Sequence, residues 1–299
     1  MSRICILLST YNGEKYLEEQ LESLLSQQDV EIDILVRDDG SIDATRQILD
    51  QWTQKANLKW YHGDNLGFAL SFLDLVKNAS DYDYYAFCDQ DDIWLPDKLK
   101  RAVIALDSIQ EPIRLYCSNV YYYKEGQTYG AIHSAVPYFD KYTCLLRNIA
   151  PGCTMVFSRE LKELLSSASP RHIIAHDFWI FQLAVLMGQV HYDFEPTMLY
   201  RQHENNQIGQ KNSRKDIWNR RVKNILSDKC KHERELEAKE LLACYSNRLI
   251  PETETIVAKV ADYRLSFANK LRFMIDKRYT MGNCKADLYL RLRLLFSKF

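Results

Sequence analysis

Three aspartates, Asp89, Asp91 and Asp92, fall within four positions of the run FCDQDDIW (87–94), directly behind an apolar stretch. Carboxylates at i and i+2 on a strand end can both turn toward one ion. Hard divalent cations such as Mg²⁺ and Mn²⁺ take oxygen ligands and keep positions open for water or phosphate oxygens. Two or three protein carboxylates alone hold such an ion weakly, so the pattern implies a metal–diphosphate partner. The competing reading is a solvated turn that caps the helix starting near Pro96.

Three further stretches carry candidate chemistry. Asp38 and Asp39, in RDDGS (37–41), suit hydrogen bonds from a ribose hydroxyl or a base N–H. An ordinary turn with Gly40, and Ser41 as a helix N-cap, is the alternative. Asp177, in AHDFWIF (175–181), opens an apolar helix, and a helix N-terminus favours the ionised carboxylate. Capping alone would explain it, but beside a metal–diphosphate site Asp177 becomes a candidate general base. Arg201 and His203, in YRQHENN (200–206), could touch diphosphate and metal, since neutral imidazole is an acceptable ligand. The chain contains no GxGxxG and no GxxxxGK[ST], which weakens dinucleotide-binding and P-loop readings.

The elements that must position these residues alternate along the first 118 positions. Short β-rich runs at 4–8, 32–36, 58–62, 84–88 and 113–117 read as strands. Between them lie helical patterns: Leu17, Leu21, Leu24 and Leu25; then Ala44, Ile48, Leu49 and Trp52; then Phe68, Phe72, Leu75 and Val76. Pro96 suits the first turn of the next helix. Repeated strand–helix units predict an α/β fold with a doubly wound, mostly parallel sheet flanked by helices. Ser9, Asp38, Asp39, Asn65, Asp89 and Asp91 then all lie just past strand carboxyl ends, the edge where open α/β sheets bind ligands. Polar residues far apart in sequence would share one rim.

Beyond position 118 the spacing predicts a hairpin in VYYYKEGQTYGAI, a helix in HDFWIFQLAVLMG and a strand pair around VHYDFEPTMLYRQH. A boundary is expected near 210, separating a catalytic domain (1–210) from a basic helical region (211–299). Residues 1–100 carry 9 basic and 19 acidic side chains, whereas residues 201–299 carry 22 and 12, so the two ends meet different partners. Eight cysteines without a CxxC pair read as buried thiols in a reducing cytoplasm. The first apolar run is too short for a signal peptide, and no stretch approaches the roughly 20 apolar residues that span a bilayer.

Taken together, LLSTYNGEKYLEEQLESLLSQ, VRDDGSIDAT, DNLGF, DQDDIWLPDKL, GCTMVF, HDFW and LYRQHENNQIG resemble, in order and spacing, the inverting family-2 glycosyltransferases of the GT-A fold. The forms DQDDIWLPDKL, HDFW and YRQH are similar to bacterial rhamnosyltransferases of surface-polysaccharide assembly. The resemblance implies Mn²⁺ or Mg²⁺ as cofactor and a nucleotide-sugar donor, dTDP-rhamnose or a UDP-hexose. It implies that Ser9 and Tyr11 line the base pocket, with Asp39 hydrogen-bonding the base and Asp38 beside it. Asp89 would face ribose or metal, and Asp91 would be the principal metal ligand. Asp92 would support the loop, Asp177 would be the catalytic base, and Arg201 and His203 would lie at the diphosphate, with His203 a further metal ligand. Gly152 and Cys153 fall where a small-residue loop borders sugar and acceptor. His176 takes no part in proton transfer. A nucleotidyltransferase is the enzymatic alternative, but LLSTYNGEKYLEE lacks a basic triphosphate loop; a non-catalytic nucleotide-sugar-binding protein or scaffold on the same fold is the other.

The basic carboxyl-terminal third has amphipathic patterns at 216–229, with Trp218, Val222, Ile225 and Leu226 on one face, and in ANKLRFMIDKRY and LYLRLRLLFSKF. Such helices suit the interface of an anionic membrane, at the inner face of the cell membrane, and an acceptor that is a saccharide or a polyprenyl-diphosphate-linked saccharide. Packing on the catalytic domain or homodimerisation are the alternatives. Nucleic acid is not an expected partner, because the basic residues follow apolar helix faces and no reader motif occurs.

Overall fold

The computed structural model describes residues 1–203 and 232–299. The chain divides into two compact units, one built from 1–137, 149–168 and 175–204, the other from 138–148, 169–174 and 205–299. The expected boundary near 210 and the helix expected at 216–229 lie outside the described residues.

The first unit begins with three strand–helix repeats and a fourth strand. These are β1 (Arg3–Thr10), α1 (Leu17–Leu25), β2 (Glu31–Asp38), α2 (Thr45–Trp52), β3 (Leu58–His62), α3 (Phe68–Asn78) and β4 (Tyr84–Cys88). There follow β5 (Ile93–Trp94), α4 (Lys98–Asp107), β6 (Arg114–Ser118), β7 (Tyr121–Lys124), β8 (Gln127–Ala131), β9 (Val156–Ser158), α5 (Arg159–Ser166), α6 (His176–Met187), β10 (Gln189–Asp193) and β11 (Met198–Arg201). The main sheet has the order β10-β6-β9-β4-β1-β2-β3. It is parallel except at β9, which runs antiparallel to both β4 and β6. All five residues of β4, and Ile4, Ile6, Leu7 and Leu8 of β1, are buried, as in strands covered by helices on both faces.

Several expectations are revised. The two strands read around 189–201 do not pair with each other: β10 edges the main sheet beside β6, and β11 joins a small sheet ordered β5-β11-β7-β8. Pro96 precedes the helix, which begins at Lys98, because Ile93 and Trp94 first pair with β11. Leu25 and Phe68 stand 46% and 47% exposed, whereas Leu17, Leu21, Leu24, Phe72, Leu75 and Val76 enter the core. The hairpin of β7 and β8 closes through Glu125 and Gly126, both at positive φ, the geometry two-residue hairpin loops favour. Helix α6 is apolar on nearly every side and correspondingly buried.

The second unit contains α7 (Glu233–Tyr245), α8 (Pro251–Ala261), α9 (Phe267–Ile275) and α10 (Cys284–Leu295). Val257, Val260, Tyr263, Phe273, Tyr279, Leu294 and Phe299 form its interior. Asp276 joins α8 to the turn after α9 by accepting from Lys259 at 2.8 Å and Arg278 at 2.7 Å. No helix among the described residues is long and apolar enough to cross a membrane. Cys5, Cys88, Cys117, Cys144 and Cys153 are buried free thiols, Cys284 is exposed, and Cys230 lies outside the described residues.

Candidate active site

The carboxyl ends of β1, β2 and β4 form one rim. Two loops there fasten to each other through side chains. The Asn12 N–H donates to Ser41 Oγ at 2.8 Å, and the Ile42 N–H to Asn12 Oδ1 at 3.0 Å. The Gly13 N–H donates to Thr45 Oγ1 at 2.8 Å. Tyr11 remains 46% exposed beside this clasp. Ser9 shares a short hydrogen bond with Ser71 of α3.

The acidic pair after β2 holds the rim in place. Asp38 is fully buried, accepting from the Ser41 N–H at 3.2 Å and from Arg46 at 2.6 Å. Asp39 accepts from Arg37 at 3.0 Å and from the N–H groups of Leu66 and Gly67 at 3.0 and 2.9 Å. It therefore pins the loop that carries the exposed Asn65, whose Oδ1 takes the Gly67 N–H at 3.2 Å. Burying two carboxylates is tolerable here because each has a cationic and a backbone donor.

The loop after β4 is tied to both neighbours. Gln90 Oε1 accepts from Thr10 Oγ1 at 2.6 Å and from the Tyr11 N–H at 2.9 Å, locking it to the end of β1. Asp92 is buried, and its Oδ1 accepts the Arg201 N–H at 3.0 Å. The Arg201 guanidinium donates to the Asp91 carbonyl at 2.8 Å, pairs with Glu19 at 2.5 Å and lies over the rings of Tyr16 and Tyr123. His203 stacks on Tyr16 and places Nε2 2.6 Å from Asp91 Oδ2. Arg201, expected to face diphosphate, is thus also the brace of the acidic loop.

Residues from a third stretch complete the cluster. Gly152 and Cys153 belong to a single 3-10 turn ahead of β9, and both are buried. A Cβ on Gly152 would come within 2.4 Å of His176 Nε2 and 3.2 Å of Asp177 Cβ, so only glycine fits under the start of α6. The His176 ring stacks on Phe72 at 3.9 Å and meets the Phe87 ring edge-on at 5.0 Å. Burial pushes its pKa down to about 3, so it is a neutral aromatic spacer. Asp177, next along the first turn of α6, accepts the Phe178 N–H at 2.7 Å.

Electrostatics show how closely the carboxylates converge. Burial, then the charge of Asp91, then that of Asp177, push Asp89 up to about 7. Asp92 is pushed well above the carboxylate range by burial, Asp91 and Asp89. Oxygens of Asp89 and Asp92 and the Cys153 sulfur lie within 4.8 Å of one another. The Cys153 thiol is itself pushed well up, by burial foremost, so it stays protonated and is a poor partner for a hard cation. Asp92 Oδ2 lacks an N–H or O–H donor among the described residues. Three mutually repelling carboxyl groups, with the weak Cys153 thiol as side-chain donor to Asp92, fit a divalent cation.

Three positions were invisible as site residues in the sequence. Gln90 reads as a spacer between aspartates, and Glu19 as a solvated helix charge. Lys98 reads the same way, yet it is fully buried, donating to the Cys153 carbonyl at 3.0 Å with its ammonium over the Trp94 ring. Burial lowers its pKa to about 8. A lysine so close behind DQDDIW was the available signal.

Against known proteins, the family model described as glycosyl transferase family 2 matches residues 5–165, more than half of the chain. The chain belongs to glycosyl transferase family 2. This glycosyltransferase is 34% identical over 215 residues to the dTDP-rhamnosyl transferase RfbG of Shigella flexneri, covering 68% of this chain and 73% of the relative. Its fold matches that of S. aureus TarS in complex with UDP, with a TM-score of 0.55 at 20% identity over 92% of this chain and 75% of the other. The mannosyltransferase PcManGT from Pyrobaculum calidifontis, in complex with GDP-Man and Mn²⁺, matches with a TM-score of 0.55 at 16% identity, over 100% and 81% of the two chains. The glycosyltransferase therefore has the GT-A fold, with the antiparallel β9 set in its mostly parallel sheet.

Proposed function

We propose that this enzyme is a metal-dependent, inverting glycosyltransferase that moves rhamnose from dTDP-rhamnose to a saccharide or lipid-linked saccharide in surface-polysaccharide synthesis. The observation that supports the reading is that one turn joins Asp177 to the acidic loop: the Cβ position of Gly152 lies 3.2 Å from Asp177 Cβ, and the sulfur of Cys153 lies within 4.8 Å of oxygens of Asp89 and Asp92. The donor assignment is supported by the likeness to a dTDP-rhamnosyl transferase; a UDP-hexose is the competing donor. Residues 1–210 are the catalytic part in this reading and 211–299 the basic helical part.

Ser9, Tyr11 and Asn65 line the nucleoside side of the rim; Asp39, expected to hydrogen-bond the base with Asp38 beside it, has its carboxylate engaged by Arg37 and the Leu66 and Gly67 N–H groups, so the pair keeps the loops in register there. Asp91, with Asp89 and His203, would hold Mn²⁺ or Mg²⁺; Asp92 and Arg201 fix that loop from behind. When bound, the ion supplies positive charge to the departing diphosphate. Arg201 adds to that charge if its guanidinium exchanges Glu19 for phosphate. Asp177 takes the proton from the acceptor hydroxyl as its oxygen attacks the anomeric carbon, and the nucleoside diphosphate leaves from the opposite face. A single displacement inverts the anomeric configuration. Gly152 lets α6 sit close enough to bring Asp177 to that position.

Thermal denaturation with a panel of nucleotide sugars, each with and without Mn²⁺, tests the proposal, since a ligand bound only to the native state raises Tm by mass action. The expected result is a Mn²⁺-dependent rise with dTDP-rhamnose. No rise with any donor in folded protein would overturn it.

A further inference from the structure

Among the described residues, the second unit carries an exposed apolar stripe. Phe267, Leu271 and Ile275 recur at i, i+4 and i+8 on α9 and are 77%, 40% and 64% exposed, whereas Phe273 on the opposite face is fully buried. Leu265, just ahead of the helix, is 71% exposed. On α10, Leu288 and Leu295 repeat the pattern at i and i+7, again with their counterparts Leu290 and Leu294 buried. Lys270 ties α9 to the end of α10 by donating to Ser297 Oγ at 2.6 Å. A soluble helix normally turns such a stripe inward; here Phe273 on α9 and Ala286, Leu290 and Leu294 on α10 already face the interior, and the other apolar side chains face out.

The charges around the stripe say what covers it. Residues 264–299 hold nine Lys or Arg and two Asp. Both aspartates are engaged: Asp276 by Lys259 and Arg278, Asp287 by Thr280 and the Met281 N–H. Arg272, Lys277 and Lys285 are exposed and make no ion pair among the described residues. A cleft between α8 and α9 is lined by Thr255, Ala258, Lys259, Asp262, Asn269 and Arg272. Apolar side chains beside unpaired cations repel a second copy of the same face and match an anionic lipid surface, where the side chains enter the acyl boundary and the cations meet phosphates.

We propose that α9 is an interfacial helix that binds anionic membrane, with Phe267, Leu271 and Ile275 immersed and Arg272, at the cleft, receiving a lipid phosphate. The attachment brings the enzyme to the surface that holds a lipid-linked acceptor; that link rests on the transferase reading, while the membrane binding does not. Vesicle binding requires neither donor nor turnover, so its failure and the failure of donor binding are separate results.

The test is flotation of the full chain with vesicles of phosphatidylethanolamine and phosphatidylglycerol, or of phosphatidylcholine alone. Wild type is expected to float with the anionic vesicles only, and less at high salt. F267S/L271S/I275S, with an unchanged circular dichroism spectrum and Tm, should lose at least about a hundredfold in partitioning, since three large apolar side chains are removed from the boundary. R272E/K277E should lose the salt-sensitive part. Wild type that stays unbound on anionic vesicles, or a triple variant that floats as wild type does, overturns the proposal. So does a dimer in light scattering that the triple variant abolishes, because the stripe would then be covered by a second copy.

Discussion

Gly152→Ala tests how the start of α6 is held. The added methyl carbon would lie 2.4 Å from His176 Nε2, about 1 Å inside ordinary contact, and 3.2 Å from Asp177 Cβ. His176 has little room to move, because Phe72 stacks on its ring at 3.9 Å and Phe87 meets it edge-on at 5.0 Å. The strain must pass into the backbone of the first turn, which carries Asp177. Overpacking of this kind costs about 1–3 kcal/mol of stability, and a shift of about 1 Å in a reacting group costs about 100-fold in rate. Melting and steady-state kinetics on one preparation should show a lower Tm, kcat down about 100-fold, and donor affinity close to wild type. In G152A/H176A the removed ring leaves room for the methyl, so the two changes should couple by about 0.5–3 kcal/mol. A G152A enzyme with wild-type kcat and Tm would refute both the close packing and its role in placing Asp177.

Other substitutions separate the proposed roles. Asp91→Asn should weaken Mn²⁺-dependent donor binding by about 100-fold or more, read from the donor-induced rise in Tm, since a ligand matters at least as much as its supporting groups. Asp177→Asn should leave that rise intact while turnover falls by about 10²–10⁴-fold. His176 gives a pH signature. Its folded pKa of about 3 lies below the unfolded value near 6.5, so the unfolded chain takes the proton first. Its contribution is complete above pH 6.5 and declines as pH falls toward 3, by up to about 5 kcal/mol. Urea titrations of wild type and His176→Phe between pH 4 and 7 should show a shallower acid slope in the variant.

Local periodicity made the first 118 residues legible. Short β-rich runs of five residues became β1, β2, β3, β4 and β6, and the i, i+4, i+7 leucines of α1 set its buried face. The rim followed from that order, because parallel strands must deliver their carboxyl ends to one edge. Pairing was less legible. Nothing in the alternation of VHYDFEPTMLYRQH says that β10 joins β6 while β11 joins β5 and β7; those partners are chosen by long-range closure. Three-residue β9 was hidden in an apolar stretch that reads equally as loop. Within the site, residue types announced the carboxylates but not what holds them. Lys98 sits on an amphipathic helix where a lysine normally faces water, and its burial comes from a loop 55 positions away.

The brace on the acidic loop carries a consequence for how the chain is made. The strands that shape the rim are complete once β4 has been synthesised, but Asp92 and the Asp91 carbonyl receive their hydrogen bonds from Arg201, 109 and 110 positions further on. Domains generally fold as units during synthesis, so this one waits for its last strand. A chain truncated before β11 lacks both donors, so the aspartates beside the rim would stay unbraced. Bracing of the acidic loop arrives with Arg201, the residue that also pairs β11 with β7.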